Sequence, residues 1–313
     1  MKLDTNPITA YPDVKQTVLG GSNSNGSPSV ETPAQRDWTA KTTLTPPLKW
    51  HGGKHYLAKK ILQFAPPHIH YVEPYFGGGA VLLTRDPEGS SEVANDINGD
   101  LTNFWHVLQD EAKFETFGRM IQAMPFSQVE WKAAAEQEGG DEIERAVRFF
   151  VFCRQSRAGL MQGFATLTKN RTRRNMNEQA SAWWNAVEGL PQVHERLKRV
   201  VILNDHAPAV IRQQDGPNTL FYCDPPYLQS TRTAKDVYHF EMTEEDHREL
   251  LVLLNAIQGK VMLSGYRSDL YDSMLLPPCW KRIEFGIANH ASGGSSKRRM
   301  TECLWLNFDH QQN

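Results

Sequence analysis

The chain has 313 residues, of which 40% are hydrophobic and 22% charged, with a formal net charge of −2. That length suits one large domain or a core with an insertion, and the apolar share supports a sizeable core, which excludes wholesale disorder. A slightly acidic chain is no general nucleic-acid binder, so any DNA contact must come from local charge. No window approaches the roughly eighteen uninterrupted apolar residues of a membrane span, and the N-terminus lacks the apolar run of a secretory signal. Four scattered cysteines (Cys153, Cys223, Cys279, Cys303) form no C-x-x-C pair. That argues against a disulfide scaffold and a zinc ribbon, and a cytoplasmic setting is expected.

Residues 1–44 are rich in Ser, Asn, Gly, Pro and Thr and read as a flexible tail. From Pro46 the texture changes. His70 to Tyr75 is a short β-like run, followed by Phe76-Gly77-Gly78-Gly79 and an apolar helix start, AVLLT. A second short strand, Glu92 to Asp96, precedes a helical stretch from about Gly99 to Lys113. This order predicts an α/β fold with a doubly wound, mostly parallel sheet. Residues 45–105 would form its first part and 200–313 its second. A mainly helical insertion, 106–199, would lie between them, with helices over Glu142–Cys153 and Ala180–Val187. Further strands are expected at Val200–Leu203, Thr219–Cys223, Lys260–Leu263, Arg282–Phe285 and Cys303–Phe308. A helix from Thr243 to Ile257 opens with a capping-box-like Thr243-Glu244-Glu245-Asp246.

Two constellations carry chemistry. In the first, a strand ending at Glu73-Pro74-Tyr75-Phe76 runs into three glycines, which let backbone approach a ligand because no Cβ intervenes. Asp96 follows 17 residues after Gly79, at the end of the next strand, where an acid accepts hydrogen bonds from ribose hydroxyls. G-x-G-x-x-G is not met, so nucleoside binding is favoured while the cofactor stays open, and a tight turn without a ligand also fits. In the second, Asp224-Pro225-Pro226-Tyr227 follows the apolar strand Leu220–Cys223, at the carboxyl edge of the sheet. Two prolines stiffen the loop and offer no N–H. The loop therefore presents acceptors only, the Asp224 carboxylate and the Pro225 carbonyl, beside an aromatic ring. Such a rim suits the exocyclic amino group of a planar base.

At these positions the chain resembles the Dam-type, alpha-group DNA adenine-N6 methyltransferases. The resemblance rests on Leu48-Lys49-Trp50-His51-Gly52-Gly53-Lys54, Tyr71 to Val81, Asn95-Asp96-Ile97-Asn98 and Tyr222 to Tyr227, in the family's order. It covers about residues 47–313, the insertion less well. It implies a Rossmann-like, S-adenosylmethionine-dependent methyltransferase acting on double-stranded DNA, with no metal and no covalent enzyme intermediate. It also implies contacts to the cofactor from Trp50, Lys54, Glu73, Phe76, Gly77, Gly79 and Asp96, with Asp224 close by. Asp224, Pro225, Pro226 and Tyr227 would hold a flipped-out adenine, Tyr227 by stacking. Asp205, after the Val200–Leu203 strand, is a further candidate for the cofactor's adenine end. A monomer is expected.

The DNA grip is expected from the insertion. Arg154 to Asn177 holds six basic residues and no acid. Of these, Arg157, Lys169, Arg171, Arg173 and Arg174 are the candidate phosphate contacts, with a solvated loop as the bland alternative. The family reads its target with a β-hairpin, and Arg157 to Phe164 occupies a similar place. It departs from the family's N-G-L-x-R, so the recognition sequence stays open. Lys297-Arg298-Arg299 is a second basic run, and Tyr238-His239-Phe240 a possible pocket wall. Pro278-Cys279 lacks the other motifs of a cytosine-C5 methyltransferase, and His68 and His70 read as packing rather than metal ligands. Cytosine-N4 transfer is the close rival. A nicotinamide-dependent oxidoreductase leaves the Asp-Pro-Pro-Tyr loop unexplained, and a non-catalytic DNA-binding module leaves its intact chemistry without use.

Overall fold

A computed structural model of the chain describes residues 39–40, 43–232, 240–288 and 299–309. In chain order the elements are α1 (Ala58–Leu62), β1 (His70–Glu73), α2 (Ala80–Thr84), β2 (Ser91–Asn95), α3 (Gly99–Gln109), α4 (Glu111–Ala123), α5 (Gln128–Glu136) and α6 (Glu142–Gln155). Next come the two strands of a small hairpin, β3 (Thr172–Arg173) and β4 (Met176–Asn177), then α7 (Glu178–Leu197), β5 (Val200–Leu203), α8 (Ala207–Gln214) and β6 (Thr219–Cys223). The chain closes with α9 (Glu244–Ala256), β7 (Lys260–Gly265), α10 (Asp269–Met274), β8 (Lys281–Ala288) and β9 (Arg299–Leu306).

Seven strands form one sheet in the order β5-β2-β1-β6-β7-β9-β8. The first five run parallel, and β9 and β8 add an antiparallel edge. Every residue of β6 is buried, as expected of a strand covered on both faces. The strand order reverses between β1 and β6. An open α/β sheet gathers its ligands at the carboxyl ends of such a pair.

Most predicted elements are present, with differences at their ends. The stretch expected as one helix from Gly99 to Lys113 is two, because Asp110 leaves helical geometry and its side chain accepts from Lys113 N to cap α4. The Ala180–Val187 pattern lies in the N-terminal half of a 20-residue helix capped by Asn177. Thr243 and Asp246 form the capping box read from the sequence. The predicted tail lies almost wholly outside the described residues.

The insertion contains helices and a hairpin, and α3 spans the boundary expected near 106. Phe104 of α3 stacks on Phe150 of α6 with centroids 5.7 Å apart. Phe150 in turn meets Trp183 of α7 at 5.3 Å. These rings belong to one buried cluster with Tyr71, Leu82 and Leu220 around the sheet. Each such ring removes enough apolar surface from water to contribute on the order of 2–3 kcal/mol, so the helical layer is held by the same core as the sheet.

Candidate active site

The carboxyl ends of β1, β2 and β6 open into a cleft of about 1090 Å³. Its first wall is the turn after β1. Phe76 N donates to Asn95 O at 2.8 Å, and Gly77 and Gly79 sit at φ +49° and +68°, a left-handed region where side chains are strained. A Cβ on Gly77 would stand 2.6 Å from Trp50 Nε1, and one on Gly79 2.7 Å from the Phe76 ring. The glycines are therefore needed so that Trp50 and Phe76 can close on the backbone. Trp50 does two jobs: it packs against the core and lines the cleft.

Asp96 is anchored before any ligand arrives. Its carboxylate accepts from Gly77 N at 2.9 Å and Asn98 N at 3.0 Å. Burial pushes its pKa up, and these two bonds pull it back. An ionised carboxylate offers roughly four acceptor sites, so capacity remains for a diol. Asn95, which sequence reasoning did not single out, ties this edge together. Its amide donates to Pro74 O (2.9 Å) and Asp205 O (3.0 Å) and accepts from Asp205 N (2.9 Å). Asp205 itself is exposed, and its carboxylate accepts from His206 N at 2.7 Å. His206, Ala207 and Pro208 line the cleft at this point in its place.

The opposite wall is the loop after β6. Asp224 and Pro225 face the cleft together with Pro226. Lys54, only 5% exposed and so no solvated surface charge, sets its ammonium 2.9 Å from Asp224 Oδ1 and 3.4 Å from Glu302 Oε1. It also donates to Gly52 O at 2.7 Å. Burial holds the Asp224 carboxyl above the usual aspartate range, while Lys54 and the Tyr227 hydroxyl oppose that rise. Glu73 is buried between strands, accepts from Tyr71 OH at 2.8 Å, and is pushed up to about 8, chiefly by burial.

Tyr227 does not sit as the sequence suggested. Its hydroxyl donates to Glu302, its ring lies edge-on to Tyr266 at 4.7 Å, and the Lys54 ammonium covers one face at 4.8 Å. The ring is buried and absent from the cleft wall. Lys54 and Glu302 hold it in this position, so a base can stack on it only from the face opposite Lys54. Glu302 itself went unread in the sequence. The available signal was a lone acid entering the apolar run Cys303-Leu304-Trp305-Leu306. His247, buried against Tyr271 OH at 3.0 Å, was also missed.

The insertion contributes Gly159, Leu160, Met161 and Gln162 to the cleft. Gly159 lies so close to Lys49 O that a Cβ would overlap it. Arg157 to Phe164 is a loop rather than a hairpin, pinned at its base by Arg157 N to Gly163 O at 2.8 Å and Ala165 N to Gln155 O at 2.9 Å. The hairpin of this region is β3–β4. Its turn, Arg174-Asn175, has positive φ at both positions, the geometry that matches strand twist. Arg157, Lys169, Arg171, Arg173 and Arg174 are all exposed. Arg174 is engaged by Glu188 through two bonds of 2.9 and 2.8 Å. Arg154, counted in the basic run, points inward and donates to Ala182 O at 2.9 Å, so it adds nothing to a DNA-facing charge. His68 and His70 bond to Pro66 O and to Ser91 and Gln214, as packing histidines do. Tyr238, His239, Lys297 and Arg298 lie outside the described residues, and Phe240 stands in the cleft wall.

A doubly wound sheet with a glycine turn on one side of the switch point and an acceptor-only Asp-Pro-Pro-Tyr rim on the other defines a Rossmann-like methyltransferase. The family model of the D12 class N6 adenine-specific DNA methyltransferases matches residues 50–284, and the chain belongs to that family. It is an adenine-specific DNA methyltransferase, which decides against the oxidoreductase, cytosine-N4 and non-catalytic readings. It is 25% identical over 285 residues to the type II methyltransferase M1.LlaDCHI of Lactococcus lactis subsp. cremoris, covering 86% of this chain and 97% of that one. To the DNA adenine methylase of Escherichia coli K12 it is 24% identical, over 83% and 94% of the two chains. To that of Serratia marcescens it is 25% identical, over 71% and 84%. None of the described helices is long and apolar enough to cross a membrane.

Proposed function

We propose that the protein methylates N6 of adenine in double-stranded DNA from S-adenosylmethionine, by direct in-line transfer to a base flipped out of the duplex. The observation that carries this reading is the shared cleft: Asp224 and Pro225 line one wall, and Gly77 and Asp96 the other. The wall residues fit the cofactor. The glycine backbone is a cradle that added Cβ atoms would fill, and Asp96 keeps acceptor capacity for a ribose diol. Trp50, Lys54, Glu73, Phe76, Gly77, Gly79 and Asp96 would form this side. Bound there, the cofactor supplies a methyl group on a sulfonium sulfur, an electrophile that needs no metal.

The remaining work falls to the chain. An aromatic amine is a poor nucleophile because its lone pair is delocalised. The Asp224 carboxylate and Pro225 carbonyl accept its two N–H bonds and draw the nitrogen toward a tetrahedral, more nucleophilic form. They also face the positive charge that develops there, an electrostatic effect preorganised by the prolines. Lys54 opposes the burial that raises the Asp224 pKa and so favours the carboxylate. Holding the amine in line contributes by orientation. Extruding the base costs on the order of a few kcal/mol, offset by contacts in the pocket. The exposed Arg157, Lys169, Arg171, Arg173 and Arg174 would grip phosphates. A DNA substrate also supports the cytoplasmic location expected from the sequence.

The test is Asp224→Ala. Methyl transfer to a duplex should fall at least about a hundredfold, while non-specific DNA binding stays near wild type. Full activity in that variant would refute the assignment.

A further inference from the structure

We propose that Glu302 is a positioning residue of the transfer site: its carboxylate anchors the Tyr227 hydroxyl and shares the Lys54 ammonium with Asp224, setting both the tilt of the ring and the charge of the acceptor. This rests on the reading that Asp224 holds the amino group of the target base.

Glu302 lies on the antiparallel strand β9, opposite Phe285, beyond residues 50–284 that match the family. It is 4% exposed and followed by four buried residues, Cys303 to Leu306. A buried carboxylate is strongly destabilising unless its charge is met. Here it is met by Lys54 Nζ at 3.4 Å and by the Tyr227 hydroxyl. Both partners belong to the site, and neither belongs to the sheet that carries Glu302. Two carboxylates thus share one ammonium. The other titratable groups acting on Glu302, Asp224 and Tyr227 among the described residues include Glu73, Tyr56, Tyr222, Tyr266, Tyr271, Cys223 and Cys303, all acids that add no positive charge. Glu302 therefore competes with Asp224 for Lys54. Its carboxylate lies 3.4 Å from an ammonium that already contacts Asp224 at 2.9 Å, and its bond to the Tyr227 hydroxyl holds a ring that stands edge-on to Tyr266.

The experiment is steady-state methylation of a DNA duplex by Glu302→Gln across pH, with folding followed by circular dichroism. The glutamine can still accept from Tyr227 but carries no charge. With Lys54 left to Asp224, the acid limb of kcat should move to lower pH. At the optimum kcat should fall about tenfold, because the ammonium is repositioned, and KM for the methyl donor should stay within about twofold. A merely structural role would not move the acid limb. A folded Glu302→Gln with wild-type kcat, or with an unmoved limb, overturns the proposal. If that variant does not fold, Tyr227→Phe decides. It removes the hydroxyl that Glu302 holds, and kcat should fall with KM unchanged, whereas a wild-type kcat overturns the proposal. Failure here leaves the site reading intact, since that reading falls only if Asp224→Ala stays active.

Discussion

Lys54 and Asp224 meet as an ion pair, Nζ to Oδ1 at 2.9 Å, joining the loop before α1 to the rim of β6 at the switch point of the sheet. Burial pushes the pKa of the Asp224 acceptor above the usual aspartate range. The ammonium beside it is the largest force against that rise.

Removal of that ammonium should show in the pH profile. Burial raises the Asp224 pKa and Lys54 is the largest force against the rise. Catalysis needs the carboxylate, so activity is lost as pH falls through the raised value. Lys54→Met should move the acid limb of kcat further up, with less activity near neutrality. A limb at the wild-type position would show that Lys54 does not govern Asp224.

The glycine turn makes a steric prediction. Gly79 sits at φ +68°, and a Cβ there would meet the Phe76 ring at 2.7 Å. Gly79→Ala should lose about 1–2 kcal/mol to the left-handed backbone alone. Displacing Phe76 should also weaken S-adenosylmethionine binding by roughly tenfold or more, since a lost 1.4 kcal/mol is a factor of ten. Calorimetric titration and a thermal melt read the two effects separately.

Glu73 makes stability depend on pH. Its folded pKa of about 8 lies above the ordinary glutamate value, so the folded state binds the extra proton. Its contribution is fully present below the unfolded pKa near 4.3 and is lost as pH rises through the folded value. Glu73→Gln should therefore melt close to wild type at pH 5 and above it at pH 9. Equal melting temperatures at pH 9 would count against a buried, protonated Glu73.

DNA affinity should carry the signature of counterion release. Arg171 and Arg173 are exposed on and beside the β3–β4 hairpin. Removing one phosphate-neutralising side chain should reduce the slope of log K against log salt by about 0.9, so replacing both by Ala should flatten it by up to about two units. Arg174→Ala should change it less, because Glu188 already holds that guanidinium. A slope unchanged in the double variant would place the DNA elsewhere.

Much of this was legible in the residues. An acceptor-only loop after a buried strand is a local pattern: two prolines fix it whatever lies around it, and Asp224 is in place once β6 forms. The glycine turn is equally local, and the sheet order follows from alternating strands and helices. The sequence also marked Trp50 and Lys54, although only through their resemblance to a family motif.

What the sequence could not show is which charges meet. Arg154 counts as basic in a linear window, yet it faces inward to Ala182 O. The two-stranded ladder sits at Thr172–Asn177, where Thr172 pairs with Asn177 and Arg173 with Met176, whereas Arg157–Phe164 is closed by a single bridge, Ser156 to Phe164. Glu302 reaches Tyr227 and Lys54 only because β9 runs antiparallel beside β7 and carries its register across the site. Local chemistry is written in neighbouring residues and survives any fold. Which carboxylates share an ammonium is set by strand order and register, over separations along the chain that no local pattern spans.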